Sequence, residues 1–173
     1  MMSFSIRPIF PSHQRTLWDM LYLSLYVPPG SAPFPPDIVK RPEIAKYVAG
    51  WGRAGDLGFV AIDPDSNQAI GAAWLRLLRS EERGYGYVDD ETPELAIAVL
   101  PEYRGKGIGS ELISHLLSAA ATVYKQVSLS VSADNPAVRL YKRLGFEEVL
   151  LDGSSVTMLK QIDKGEQTPT RDI

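Results

Sequence analysis

Three glycines at alternate positions, Gly105, Gly107 and Gly109, with Arg104 and Lys106 among them, form the stretch of this chain best suited to chemistry. Glycine strips away the side chains that would hold another molecule off the backbone. Residues 93–100, just before, are an almost continuous apolar run, the pattern of a strand buried on both faces. Leu112, Ile113, Leu116, Leu117 and Ala120, just after, recur at the spacing of one helical face. The glycines therefore lie where a strand passes into a helix, whose first N–H groups have no partner inside it. Those amides, together with the positive end of the helix dipole, make a phosphate or pyrophosphate the natural guest.

The spacing excludes two familiar glycine loops. A GxxxxGK[ST] loop fails because Pro101 and Leu100 stand four and five residues before Gly105, and no Gly-Lys-Ser/Thr follows at the required offset. A GxGxxG fingerprint starting at Gly105 would need its third glycine at Ser110. What remains is Arg-x-x-Gly-x-Gly.

The elements that must position this loop can be read along the chain. Residues 3–9 alternate and predict a first strand, and Ser12 has the character of a helix N-cap. Leu17, Trp18, Leu21, Tyr22 and Leu25 then predict an amphipathic helix ending before Pro28. The proline-rich residues 28–36 form an irregular connector, and a short helix is expected over residues 42–49, stopped by Gly50. Residues 57–62 and 69–78 predict an antiparallel hairpin around a turn at 63–68, whose Asp63, Asp65 and Asn67 lack the glycine and glutamate of a calcium loop. Residues 80–91 read as a polar loop in which Asp89, Asp90 and Glu91 are solvated.

Beyond the central helix, Val127, Leu129 and Val131 alternate with serines, so residues 126–133 predict a strand parallel to the central one in a right-handed βαβ unit. Asn135 and Pro136 open another helix, with Ala137, Leu140, Tyr141 and Leu144 on one face and Gly145 at its end. Residues 147–151 and 155–160 predict a last pair of strands. The domain is thus expected to span residues 1–160, followed by a loose polar tail, 161–173.

At 173 residues the chain is about one domain, and 45% hydrophobic with 23% charged residues is ordinary for a globular protein. A net charge of −3 speaks against a nucleic-acid surface. The absence of cysteine excludes disulfides, zinc–thiolate sites and a cysteine nucleophile. No segment reaches the roughly 18 apolar residues of a membrane span and no leader pattern opens the chain, so a cytoplasmic protein without membrane partners is expected.

This α/β order, with the loop Arg104, Gly105, Lys106, Gly107, Ile108, Gly109 and a second segment running from Asn135 through Tyr141 to Gly145 and Phe146, resembles the GNAT N-acetyltransferase superfamily. The resemblance covers nearly the whole chain. It implies a single-domain mixed sheet whose parallel strands splay apart, flanked by helices. Acetyl-CoA would lie at the splay as cosubstrate, with its pantetheine arm on backbone near Ile97 and Val99 and its pyrophosphate on the amides of Gly105 to Ser110. Arg104, Lys106, Asn135 and Lys142 would assist, Lys142 as part of a basic patch with Arg139 and Arg143. No metal is implied.

The implied chemistry is attack of an amine on a thioester, which needs a base for the amine and an acid for the departing thiolate. Tyr141, with an ordinary phenol pKa of about 10, carries the proton that a thiolate of about 8.5 wants, and the family match places it at the acetyl end. Glu94, at the start of the central strand, is the candidate base, acting through water. His13 and His115 are expected to be structural or exposed. The acceptor, a primary amine of a small molecule or protein, would be chosen by residues 26–36, Trp51 and residues 84–87. A non-catalytic acyl-CoA sensor is the alternative function, and a homodimer through the C-terminal strands is left open.

Overall fold

The computed structural model describes residues 3–162. One seven-stranded sheet organises them: β1 (Ser5–Pro8), β2 (Leu57–Ile62), β3 (Ala69–Arg76), β4 (Glu94–Val99), β5 (Gln126–Ser132), β6 (Glu147–Asp152) and β7 (Ser155–Gln161), in spatial order β1-β2-β3-β4-β5-β7-β6. All neighbours are antiparallel except β4 and β5. The helices are α1 (Gln14–Ser24), α2 (Pro42–Ala45), α3 (Ile108–Ala120) and α4 (Ala137–Arg143).

Both faces of the sheet are covered, which is why β3 is buried from Ile70 to Arg76. Ala73 and Leu75 join Ile108, Leu112, Ile113 and Leu116 of α3 in one core cluster. Ala72 and Trp74, on the opposite face, join Leu17 and Leu21 of α1 with Ile44, Val48 and Trp51 in another. The two covered faces explain the near-continuous apolar run of β3, and the turn residues at 63–68 are what made its hairpin with β2 legible.

The parallel pair β4 and β5 is joined at a single register position, Glu94 against Ser128, beside a hydrogen bond from Ser128 N–H to Pro93 O at 3.0 Å. Past this point the two strands separate, as the resemblance implies.

Three expectations change, and the order of the last two strands, which the sequence leaves open, is settled. Ser12 does not cap α1: it lies in a 3-10 turn (Pro11–His13), and His13 Nδ1 accepts the Phe10 N–H at 3.0 Å. The helix beginning at Pro42 is regular only to Ala45 and continues as turns to Gly50, whose φ is +65°. The last hairpin joins the sheet through its second strand, so β7 lies inside and β6 forms the edge. Gln161 belongs to β7, and Ile162 is buried with its N–H on Lys125 O at 2.8 Å, so the fold takes in two residues assigned to the tail. The rest of that predicted tail, 163–173, lies outside the described residues. Among the described residues, no helix is long and apolar enough to cross a membrane, and no cluster of His, Cys, Asp or Glu could hold a metal ion.

Candidate active site

The separation of β4 from β5 opens a cavity of about 280 Å³ lined from several elements: Leu21, Ser24 and Tyr26 at the end of α1, Tyr47 after α2, Tyr85, Glu94 and Ile97 on β4, Ser130 on β5, and Asn135 and Tyr141 around α4. Ile97 lies on the stretch of β4 that no longer pairs with β5, and Val99 follows it; Arg104 Nε–H donates to Val99 O at 3.1 Å.

At the end of β4 the chain passes through a 3-10 turn (Pro101–Tyr103) into the glycine loop and α3. Gly105 and Gly107 have φ of +74° and +84°, the left-handed region where a Cβ is strained, and nothing lies within 4 Å of where that Cβ would stand. Gly109 is different. It is helical, and a Cβ there would make ordinary contacts of 3.5 Å with Leu140 and 3.7 Å with Ile97. Among the described residues, no protein acceptor takes the N–H groups of residues 105–110. A run of free amides over open space, at the start of a thirteen-residue helix, suits an anionic guest. Lys106 Nζ lies 5.6 Å from the centre of the Tyr103 ring beside this loop.

Glu94 is 2% exposed. Its Oε1 accepts from Tyr47 Oη at 2.9 Å and Gly86 N–H at 2.7 Å, and its Oε2 from Gly84 N–H at 2.9 Å. Burial pushes the carboxyl above the usual carboxylate range, and the hydrogen bonds offset only part of that rise. Tyr47 is held in turn. Its carbonyl accepts the Trp74 indole N–H at 3.0 Å, its hydroxyl accepts the Tyr85 N–H at 2.9 Å, and burial raises its phenol far above the ordinary value. The two glycines are steric necessities. A Cβ on Gly84 would fall on Tyr47 Oη and, at 2.5 Å, on both carboxylate oxygens; one on Gly86 would come within 2.8 Å of the Leu129 backbone.

Beside Glu94 on the same face stands Arg76, its direct cross-strand partner and also buried. Arg76 is engaged elsewhere, with Nε on Asp56 Oδ1 at 3.0 Å and Nη2 on Asp56 Oδ2 at 2.8 Å. Its Nη1 donates to the carbonyls of Lys46 and Ala49, either side of Tyr47.

Tyr141 reaches the cavity from α4 with its ring edge-on to Phe146, centroids 6.1 Å apart. Among the described residues its hydroxyl has no hydrogen-bond partner, and burial alone pushes its phenol up to about 12. Asn135 Oδ1 accepts the Ala137 N–H at 2.9 Å, which leaves its NH₂ group for another partner. Lys142 is exposed and pairs with Glu148 at 3.2 Å; Arg139 and Arg143 are exposed as well.

Trp51 is not part of the cavity. It is buried under the Arg76 guanidinium, 5.5 Å from the ring centre, and packs in the core. His13 is an N-terminal cap for its turn, and His115 is exposed on α3. The acids at 89–90 do more than meet solvent. Asp90 ties Ser80 and Tyr87, Asp89 ties Thr92 and Gln126, and the loop they fasten delivers Gly84 and Gly86 to Glu94. Sequence reasoning missed Tyr47, Gly84, Gly86, Arg76 and Asp56 as companions of Glu94. The paired glycines of 84–86 were the available signal.

Residues 47–148 match the family model described as an acetyltransferase (GNAT) domain. An N-alpha-acetyltransferase of Sulfurisphaera tokodaii is 47% identical over 58 residues, 32% of this chain and 35% of that protein. The cysteine-rich protein 2-binding protein of Mus musculus is 45% identical over 58 residues, 32% of this chain and 7% of that protein. The chain thus spans about a third or less of the curated relatives it matches. Among solved structures, SsHAT superposes with a TM-score of 0.68 at 19% identity, over 94% of this chain and 100% of that one. The yncA protein of Salmonella typhimurium, solved with its cofactor acetyl-CoA, superposes with a TM-score of 0.67 at 20% identity, over 95% and 96%. At these identities the likeness is one of fold.

Proposed function

Because the chain belongs to the GNAT acetyltransferase family, we propose that it is an acetyl-CoA-dependent N-acetyltransferase that moves an acetyl group to a primary amine by direct attack within a ternary complex. The observation that carries this reading is the meeting of Glu94 and Tyr141 in one cavity, at the point where β4 leaves β5. The unpartnered amides of residues 105–110 supply the cradle for a pyrophosphate, helped by Arg104 and Lys106. The unpaired edge of β4 at Ile97 and Val99 receives the pantetheine arm as an added strand. Asn135 has its amide NH₂ to offer. Lys142 takes part only by leaving Glu148.

The acceptor enters as an ammonium ion and gives a proton, through water, to Glu94. Burial makes this carboxylate a stronger base than an exposed one, and Tyr47 with the two glycine amides fixes its oxygens. The freed amine nitrogen bonds to the thioester carbon, the carbon–sulfur bond then breaks, Tyr141 protonates the departing sulfur, and the nitrogen sheds its second proton to solvent to leave the neutral amide. A phenol raised to about 12 holds its proton throughout the neutral range, so Tyr141 stands protonated beside the departing sulfur; transfer to a thiolate of about 8.5 runs uphill and is drawn forward by reprotonation of the phenolate. The phenolate is reprotonated from solvent.

The acceptor is a small amine or a protein amino group. The segment shared with the N-alpha-acetyltransferase relative supports including peptide α-amines among candidates. The test is release of free thiol from acetyl-CoA over a panel of polyamines, amino acids, lysine peptides and peptides with free N-termini. Acceptor-dependent release supports the proposal. Uptake of acetyl-CoA by calorimetry with no release over the panel would favour a sensor of acyl-CoA, and no uptake would overturn both readings.

A further inference from the structure

The feature left unexplained is a buried cation beside the proposed base with which it makes no bond. Arg76 and Glu94 face each other directly across β3 and β4, 1% and 2% exposed, the arrangement in which an arginine and a glutamate ordinarily form an ion pair. Yet Glu94 takes all its hydrogen bonds from neutral donors, Tyr47 Oη and the N–H groups of Gly84 and Gly86. Arg76 meets both oxygens of Asp56, whose side chain is 3% exposed. Asp56 is held for this by Gly52 N–H and Arg53 N–H, which donate to its Oδ2 at 3.0 and 2.9 Å.

A carboxylate paired with arginine is a poor acceptor of protons, because the pairing stabilises its charged form. We propose that Asp56 is a positioning residue of the site: by holding Arg76 from both oxygens it keeps that guanidinium off Glu94, so that Glu94 remains free to take the acceptor's proton. The same grip reaches Tyr47 from the other side, since Arg76 Nη1 fastens the carbonyls of Lys46 and Ala49 that flank it. One buried pair thereby sets both the charge next to the base and the place of its hydroxyl donor. The other groups that face Glu94 do not take over this role. Lys46 directs its ammonium to Arg83 O at 2.6 Å, and its charge lowers the Glu94 carboxyl less than the hydrogen bonds do; α1 brings Leu21 and Ser24, β5 brings Ser128, and Tyr85 and Tyr141 bring phenol rings.

The catalytic part of this inference rests on the acetyltransferase reading; the electrostatic part does not, and the experiment separates them. The carboxyl carbon of Glu94 is followed by NMR in the full-length protein as pH is varied, alongside the acid limb of kcat/KM. Asp56→Asn leaves Arg76 uncompensated, and the Glu94 midpoint and the acid limb should both fall by about one pH unit or more. Asp56→Asn combined with Arg76→Gln removes both charges, and the midpoint should stay within about half a unit of the wild-type value. Circular dichroism identifies the folded variants. An unchanged midpoint in folded Asp56→Asn overturns the proposal. Should that variant not fold, the double variant decides: a midpoint that rises by about a unit means Arg76 was already acting on Glu94, which also overturns it. A midpoint that moves as expected in a protein without turnover upholds the charge arrangement and sinks the catalytic reading alone.

Discussion

Replacing Gly107 by alanine sets the glycine loop against its proposed guest. The native φ of +84° puts an L-residue in the left-handed region, at a cost of about 1–2 kcal/mol. Steric crowding adds nothing, since no atom lies within 4 Å of the new methyl group. Gly107→Ala therefore either keeps its conformation and loses about 1–2 kcal/mol of stability, or relaxes and turns its amides away. Each hydrogen bond from an amide to a charged oxygen contributes about 1.5–3 kcal/mol, so losing one weakens acetyl-CoA binding by about tenfold to a hundredfold. Gly109→Ala is the control, because that residue is helical and its methyl would meet Leu140 and Ile97 at ordinary contact distances. It should stabilise the fold by up to about 1 kcal/mol and leave coenzyme affinity within a few-fold. Urea unfolding measures the first quantity, and calorimetric titration with acetyl-CoA the second. Wild-type stability and affinity in Gly107→Ala, or equal losses at both glycines, would refute the argument that conformation at residue 107 aims the amides.

Tyr141→Phe should cut kcat by about a hundredfold or more with coenzyme affinity and unfolding midpoint nearly unchanged, as its hydroxyl bonds to nothing among the described residues; steady-state kinetics and calorimetry check it. Burial lifts the carboxyl of Glu94 above its unfolded value, so its contribution to stability is present at low pH and lost as pH rises through the folded value. Activity should appear over that same window as the carboxylate forms, giving kcat/KM an acid limb above the ordinary carboxylate range that is absent in Glu94→Gln. Swapping residues 31–35, an exposed segment tied to α1 by Tyr22 Oη on Phe34 O at 2.6 Å, should raise the acceptor KM severalfold without changing acetyl-CoA affinity. Equal loss of both would assign the segment to folding instead.

The sequence was most legible where one local rule decides the outcome. Alternation and apolar runs gave β2 and β5 their limits to within a residue, and the helix after the glycine loop followed from its stripe of Leu112, Ile113 and Leu116. Ser12 was misread as the cap of α1 because Pro11 starts a 3-10 turn that carries the chain straight into the helix, which begins with no side-chain cap. Trp51 read as a residue that chooses the acceptor, since nothing local reveals that Arg76 lies over it and that it packs in the core. The environment of Glu94 was illegible for a deeper reason. Its donors come from residues 47, 84 and 86, and the charge that would have claimed it is claimed by residue 56, so these relations are made by packing between separate elements rather than by any local pattern. The acidic run at 89–91 looked solvated because a single sequence does not show which side chain ties a loop.

The insertion of β7 between β5 and β6 has a consequence for synthesis on the ribosome. Until residues 155–161 leave the exit tunnel, β5 has an open flank, and the exposed Val149, Leu150 and Leu151 have no anchored neighbour. The sheet is closed by its last-made strand, like an arch by its keystone. A nascent chain stalled shortly before that point would carry every residue proposed for chemistry, from Glu94 to Tyr141, on an unfinished and aggregation-prone scaffold.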